Sequence, residues 1–432
     1  MQGLPPGPTE PPVAQTLRWL LRPVAFMESC RRRYGDAFSV SFLGFKTPMV
    51  LLSDPEVVRA LYTNPEHGLP PGRTLALGPI LGSRSLLLLE GREHLARRRV
   101  MLPPFHGERM RAYETTVREV VARDVETWPS GEPFALHPHM QRITLEVIVR
   151  AVFGVTDEDR RRRLSERLSG LLGSTSSVGL QFTYLLSRRI ERVPDPLEEL
   201  RRVTAEIDAL LAEEIEARRA DPREDILSLL VAARFEDGEP MSDREIRDQL
   251  MTLLLAGHET TATGLAWTFD LLLRHPHVLE RLVAAVDGDD DRYVRAVVSE
   301  ALRLRPVVPI AGRRLSSELR VNGHVLPAGT DVTPAIWLTH TRPDTYPEPY
   351  AFRPERFLED APSTYAWIPF GGGVRRCIGA AFAEMEMRVA LGEILRRRTL
   401  RPASRSAERV ARRNVTFSPR RGTRVIASPR AG

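Results

Sequence analysis

The run FGGGVRRCIG, Phe370 to Gly379, places Cys377 behind three consecutive glycines and two arginines. The stretch after the cysteine, IGAAFAEMEMRVALGEILRRR, is rich in strong helix formers with apolar residues at helical spacing, and it predicts an amphipathic helix. Cys377 therefore sits where a glycine-rich loop enters a helix. A helix N-terminus presents unpaired backbone N–H groups and the positive end of the peptide dipole. Arg375 and Arg376 add positive charge. Both effects favour thiolate over thiol. A cysteine in this setting is suited to work as an anion, either as a nucleophile or as a metal ligand.

Composition narrows the class. The chain has 432 residues, 42% of them hydrophobic, enough for a sizeable core, and no linker divides it. The only cysteines are Cys30 and Cys377, which argues against a disulfide framework and for a reducing compartment. The net charge is +6, and Lys46 is the single lysine, so the basic residues are nearly all arginine. A basic surface can meet nucleic acid, membrane or an acidic protein, and no nucleic-acid-binding motif is present. The N-terminus, MQGLPPGPTEPP, is rich in proline, and Thr16–Val24 is short and holds two arginines. Nothing there approaches the roughly 20 apolar residues of a spanning helix. The expectation is a soluble, cytoplasmic protein without a transmembrane anchor.

Along the chain, residues 36–53 alternate as two strands of a hairpin, and Glu56–Thr63 reads as a short helix. His94 and Arg98 are four apart and share a helix face, flanked by Arg97 and Arg99, so a solvated basic stripe is one reading of that face. Ser242 and Glu245 form a capping box that opens a helix expected to run to about Arg274. The middle of that helix, LMTLLLAGHETTATGLAWTFDLLL, is apolar on most faces. A membrane span would place His258, Glu259 and Asp270 in lipid at a cost of several kcal/mol, so the reading is a central core helix. Glu300 and Arg303 lie three apart on a later helix. RVNGHVLPAGTDV reads as a hairpin followed by a strand, and NVTFSPRRGTRVIA as a strand pair with Phe417 at its turn, in the core or at a pocket.

These pieces, taken in order, resemble the cytochrome P-450 superfamily of haem-thiolate monooxygenases. The loop fits Phe-x-x-Gly-x-Arg-x-Cys-x-Gly at Phe370, Gly373, Arg375, Cys377 and Gly379. Ala256-Gly257-His258-Glu259-Thr260-Thr261 fits the family's Ala/Gly-Gly-x-Asp/Glu-Thr signature. Glu300-x-x-Arg303 precedes Pro354-Glu355-Arg356-Phe357, which is similar to the family's Pro-x-Arg-Phe segment. The resemblance runs from about residue 30 to the C-terminus. It implies a mainly α fold with a smaller β region, the cytochrome P-450 fold, as a single haem domain over 16–432 behind the proline-rich segment 1–15.

The implied cofactor is haem b with Cys377 as the iron ligand. Phe370 would pack near the sulfur, Gly371 and its neighbours would bring backbone close to the macrocycle, and Gly379 would leave room beneath it. His94, Arg98, Arg313 and Arg375 would hold the propionates, with Arg314 competing for the place of Arg313. Ala256 and Gly257 would leave room for dioxygen. Thr260 would bond back to the carbonyl of Ala256, and Glu259 would relay protons, with His258 turned away from the iron. Glu300, Arg303 and Arg356 would form a structural ion network.

The loop over 64–90 and the segment LSGLLGSTSSVGLQFTYLL would cover a pocket for a lipophilic small molecule. The acidic stretch 287–291 replaces a short helix and loop that relatives carry, which makes their partner interfaces poor guides here. No flavin domain or cysteine cluster is present, so electrons would come from a ferredoxin and its ferredoxin reductase. The implied reaction is insertion of one atom of O2 into the substrate. A haem-thiolate peroxygenase or isomerase, and a non-enzymatic haem sensor, are the competing readings.

Overall fold

Ala37–Val40 and Met49–Leu52 pair antiparallel, Ala37 opposite Leu52 and Val40 opposite Met49, which is the hairpin that the alternation predicts. The computed structural model describes residues 3–45, 47–69, 78, 80–107, 109–155, 157–175, 197–359, 361–413 and 415–430. Most of the candidate cover segment 168–186, and much of the loop 64–90, lie outside these residues. The described residues are mainly helical with a smaller sheet region. Among them, no helix is long and apolar enough to cross a membrane.

Two compact units form. The first comprises Met1–Pro70, Val121–Gln141 and Thr260–Gly432; the second comprises Pro71–Val120 and Arg142–Glu259. In the first unit, Met49–Leu52 also runs parallel to Asp331–Pro334, whose other side takes the two-residue strand Arg313–Arg314. Asp54 then caps the helix Pro55–Thr63, accepting from the N–H groups of Glu56 and Val57, with Pro55 at the first helical position. That helix buries Val58, Leu61 and Tyr62.

The hairpin Leu319–Val321 with His324–Leu326 turns through Asn322 and Gly323, both at positive φ, as a tight two-residue turn requires. The reading of NVTFSPRRGTRVIA as one strand pair needs correction. Thr416–Pro419 pairs with Val410–Arg413, whereas Arg424–Pro429 pairs with Arg398–Pro402 and Pro133–Ala135. The two strands of that stretch belong to different sheets, the first paired with the strand just before it and the second with two strands from farther away in the chain. Phe417 is a core residue. It is 1% exposed, packed against Trp19 and Trp337, and its carbonyl accepts from the Trp267 indole.

The capping box forms as read. The Glu245 carboxylate accepts from the N–H and hydroxyl of Ser242, and the Glu245 N–H donates back to the Ser242 hydroxyl. The helix runs Asp243–Leu272, so its first part belongs to the second unit and its last part to the first. Within the first unit, Gly264 lets this helix approach the helix Ala380–Arg397: a Cβ there would lie 3.1 Å from the Met387 sulfur. A three-residue link joins the helices Pro276–Asp287 and Asp291–Leu304, and Asp290 caps the latter. Asp287 and Asp289 of the acidic stretch pair with Arg430 and Arg396.

The second unit is largely helical. Its elements include Gly91–Met101, Glu158–Thr175 and Leu197–Ala220, together with the part of the helix His137–Val147 from Arg142 onward, which passes into the π-helical turn Ile148–Val152. Arg218 is buried there against Asp225 and the carbonyl of Gly154.

Glu386 stands out on the helix Ala380–Arg397. It is 2% exposed, and its Oε1 has no hydrogen-bond partner among the described residues. Burial pushes its carboxyl from 4.5 up to about 8. The folded state therefore holds a proton that the unfolded chain releases between those values, and this carboxyl lowers stability as pH rises through that window. Glu386→Gln is expected to stabilise the protein at pH 8 by roughly 4 kcal/mol and to leave it nearly unchanged at pH 4.5. Thermal unfolding of both proteins at the two pH values checks this. Equal differences at both would show that Glu386 is not held neutral.

Candidate active site

The Cys377 loop is built from backbone. The Cys377 N–H donates to the Phe370 carbonyl at 2.9 Å, closing the run on itself. Gly371 and Gly373 sit at φ +67° and +65°, in the left-handed region that other side chains rarely adopt. Gly373–Arg375 forms a single 3₁₀ turn, and Gly379 precedes the helix Ala380–Arg397 as its N-cap. Cys377 is exposed, and a Cβ at Gly379 would meet nothing within 4 Å. The dipole argument from sequence therefore has its geometry, with the cysteine two residues ahead of the cap.

The glycines have a second reason that the sequence did not show. A Cβ on Gly372 would fall inside the ring of Tyr62, and one on Gly373 would fall on the Tyr62 carbonyl. The loop and the helix Pro55–Thr63 are thus packed backbone to ring. Tyr62 carries no local motif; on a short helix beside Val58 and Leu61 it reads as core.

Arg313 and Arg314, adjacent in sequence, have different environments. Arg314 pairs bidentately with Asp331 at 2.7 and 2.9 Å. Arg313 is 8% exposed, donates to the carbonyl of Gly312, and has no carboxylate partner among the described residues. Its guanidinium lies 5.2 Å from the Tyr62 ring centroid. Burial lowers its pKa. The Tyr62 hydroxyl, also buried, has no hydrogen-bond partner among the described residues. A buried hydroxyl without a partner and a buried guanidinium whose one acceptor is a carbonyl therefore lie close together with no anion among the described residues, an arrangement that costs stability unless an anion completes it.

In the second unit, His94 is buried on the helix Gly91–Met101 and Arg98 is half-buried. Arg97 is committed elsewhere: it pairs with Glu245 at 2.7 Å and lies over Phe235. Arg99 is exposed beside Glu236. The helix thus divides its basic residues between different partners and is not a uniform solvated stripe. His258 turns onto Thr144: the threonine hydroxyl donates to the His258 carbonyl, so the histidine Nδ1–H donates back at 3.0 Å. Burial lowers its pKa to about 4 and keeps it neutral.

Along the long helix, Ala256 is exposed, and Gly257, Glu259 and Thr260 are half-buried, although 251–254 and 261–272 are buried. A Cβ on Gly257 would meet Ile148 at 3.3 Å. Between 251 and 272 the helix is thus accessible only from Leu255 to Thr260, the stretch that holds the motif.

The ion network is fully formed. Arg303 donates to both oxygens of Glu300, at 2.6 and 2.8 Å, and both residues are 0% exposed. Arg356 Nε and the backbone N–H of Arg353 reach Glu300 Oε1 at 3.1 and 3.0 Å. Arg303 also donates to the carbonyls of His340, Pro349 and Ala351.

Sequence reasoning overlooked His340. Its Nδ1–H donates to the Arg303 carbonyl, and its Nε2 accepts the N–H of Ile368 at 2.8 Å, two residues before Phe370. Burial is the main cause that lowers its pKa to about 3, so it stays neutral in the one tautomer both bonds require. Tyr346 donates to the carbonyl of Ala366, and the Trp367 indole donates to that of Ser299. Three consecutive residues leading into the cysteine loop are each held by a side-chain bond.

A haem fits this donor set. It carries carboxylates that would match the Tyr62 hydroxyl and the Arg313 guanidinium, which has no carboxylate partner among the described residues, and it takes a sulfur ligand, which the exposed Cys377 could offer. The family model "Cytochrome P450" matches residues 5–423. A chain named cytochrome P450 135B1 from Mycobacterium tuberculosis is 43% identical over 436 residues, covering 98% of this chain and 91% of that one. Cytochrome P450 137 of the same organism is 40% identical over 405 residues, covering 92% and 84%. Among solved structures, the retinoic acid-bound cyanobacterial CYP120A1 superposes with a TM-score of 0.85 at 26% identity, covering 100% of both chains. The haem domain of cytochrome P450DA gives 0.88 at 24% identity, covering 100% of this chain and 98% of that one, a likeness of fold.

Proposed function

This chain belongs to the cytochrome P450 family, and from that premise we propose that it inserts one oxygen atom from O2 into a lipophilic small molecule, with electrons drawn from a ferredoxin and its reductase. The family makes it a haem-thiolate monooxygenase, an oxidoreductase that takes O2, an organic substrate and electrons from a partner. The proposal adds haem b as the cofactor, hydroxylation or epoxidation as the reaction, residues 16–432 as one working haem domain, and the roles of individual residues. The observation that carries it is the closed loop presenting an exposed Cys377 behind Gly371 and Gly373.

When bound, the haem supplies the oxygen activation. Cys377 would hold it through its thiolate, whose electron donation favours O–O cleavage. Phe370 shields the sulfur, and Gly379 leaves the approach open. Arg313, Arg375, His94 and Arg98 hold the carboxylates, and the commitment of Arg314 to Asp331 favours Arg313 for that place. Ala256 and Gly257 keep the accessible stretch of the long helix small. Glu259 would take protons from solvent and Thr260 would pass them on through its hydroxyl, a relay by a carboxyl and a hydroxyl that no neighbouring apolar residue could perform. The neutral His258, bonded to Thr144, stays out of that relay. A lipophilic substrate accords with the retinoic acid in the structurally similar CYP120A1.

Ferredoxin, its reductase and NADPH should support oxidation of a compound that perturbs the ferric Soret band, chosen from fatty acids, terpenoids and retinoids. One atom of heavy-isotope dioxygen should appear in each product. Label arriving from peroxide with no need of the reductase would establish the peroxygenase reading instead. In the same assay, Thr260→Ala should lower product formed per NADPH consumed by roughly 10²-fold, with peroxide released in its place. Unchanged coupling would remove Thr260 from the relay and leave the monooxygenase reading standing.

A further inference from the structure

Tyr62 lies on a helix to which no motif assigns a role, yet it meets the cysteine loop and Arg313 together. Its ring occupies the space that a side chain at Gly372 would fill, its backbone carbonyl the space of one at Gly373, and its Oη is 3.9 Å from where a Cβ on Gly371 would stand. Its hydroxyl is buried without a partner, and the neighbouring Arg313 guanidinium is buried without a carboxylate, among the described residues. A lone orphaned hydroxyl could be a packing cost. A hydroxyl without a partner beside a guanidinium without a carboxylate makes a donor pair that suits one carboxylate, since each can satisfy a different lone pair.

We propose that Tyr62 and Arg313 form a two-point clamp on one carboxylate, with Tyr62 Oη as a neutral donor beside the Arg313 charge. The inference rests on the reading of the site as a haem site, and the carboxylate is then a side chain of the macrocycle. A phenol is well chosen for this task. Burial pushes its pKa up to about 12, so it keeps its proton throughout the physiological range. It can therefore donate to an anion at any working pH without adding a charge. The clamp also gives the glycines a purpose: Gly372 leaves room for the ring and Gly373 for the Tyr62 backbone, which seats the residue that carries the donor against the loop that carries the thiolate.

The test uses the haem-loaded full chain. Tyr62→Phe keeps the ring in its glycine seat and removes only the hydroxyl. Haem transfer to an excess of apomyoglobin should become roughly tenfold faster or more, as expected for a lost hydrogen bond to a charged group. The propionate bending mode in the resonance Raman spectrum should shift. Loading both proteins with haem dimethyl ester, which has no carboxylate, should abolish the difference between them. Equal transfer rates with ordinary haem, or a difference that survives in the diester, would overturn the clamp. A wild-type protein that fails to give a thiolate-type carbon monoxide spectrum would overturn the haem reading itself, so the two failures are distinct.

Discussion

Cys377→Ala protein, reduced under carbon monoxide, is expected to lose the strongly red-shifted Soret band of a thiolate-ligated haem, and monooxygenation is expected to fall by at least about three decades. That fall corresponds to only about 4 kcal/mol of barrier, a modest demand on a ligand whose electron donation favours O–O cleavage. The fold should survive the substitution. The loop is closed by the Cys377 backbone N–H on the Phe370 carbonyl, which any residue keeps, and the cysteine is exposed rather than packed in the core. Thermal unfolding of the haem-free proteins should therefore agree, and the spectral change should be one of ligation. The serine variant is a useful companion because it preserves the size of the side chain while exchanging a soft thiolate for a hard oxygen. A wild-type-like band in either variant would mean that another residue ligates the iron.

How much of this was visible beforehand depended on the range over which each signal acts. The loop Phe370–Gly379, the Ala256–Thr261 motif and the Ser242/Glu245 capping box are local patterns, and their backbone geometry follows from a few adjacent residues. The hairpin of 37–52 was legible for the same reason. Where partners are distant, sequence was silent or wrong. Nothing near Arg424–Pro429 indicates that it pairs with Arg398–Pro402 and Pro133–Ala135 rather than with its neighbour Thr416–Pro419. Phe417 could be a pocket or a core residue until Trp19 and Trp337 closed on it. That Arg314, and not Arg313, pairs with a carboxylate was likewise hidden, because its partner Asp331 lies 17 residues away. Tyr62 and His340 were invisible because a buried tyrosine or histidine in an apolar stretch reads as packing. Their roles lie in what they touch some 300 and 30 residues along the chain.

Arg303→Lys is expected to cost more stability than any other single change considered. Lysine offers a point charge in place of a planar fork. The native guanidinium serves both oxygens of Glu300 and the carbonyls of His340, Pro349 and Ala351. An ammonium cannot reach all of these, so buried acceptors are left open around a carboxylate that is 0% exposed. Breaking a buried network of this kind costs roughly 3–5 kcal/mol, against a typical total stability of about 5–15 kcal/mol. The effect should also reach the haem. Arg303 offers its carbonyl to His340 Nδ1, and His340 Nε2 takes the N–H of Ile368 at the entry to the cysteine loop. Loss of the fork loosens the carbonyl scaffold on which His340 stands, and with it the seat of Cys377. A two-part measurement is therefore required. Urea midpoints should fall by the amount stated, and the carbon monoxide adduct of the surviving holoprotein should contain a growing fraction of haem whose band lacks the thiolate shift. A stability change below about 0.5 kcal/mol, within the range of an ordinary surface substitution, would show that the network is replaceable. A large stability loss with an intact thiolate band would show that His340 does not transmit it to the loop.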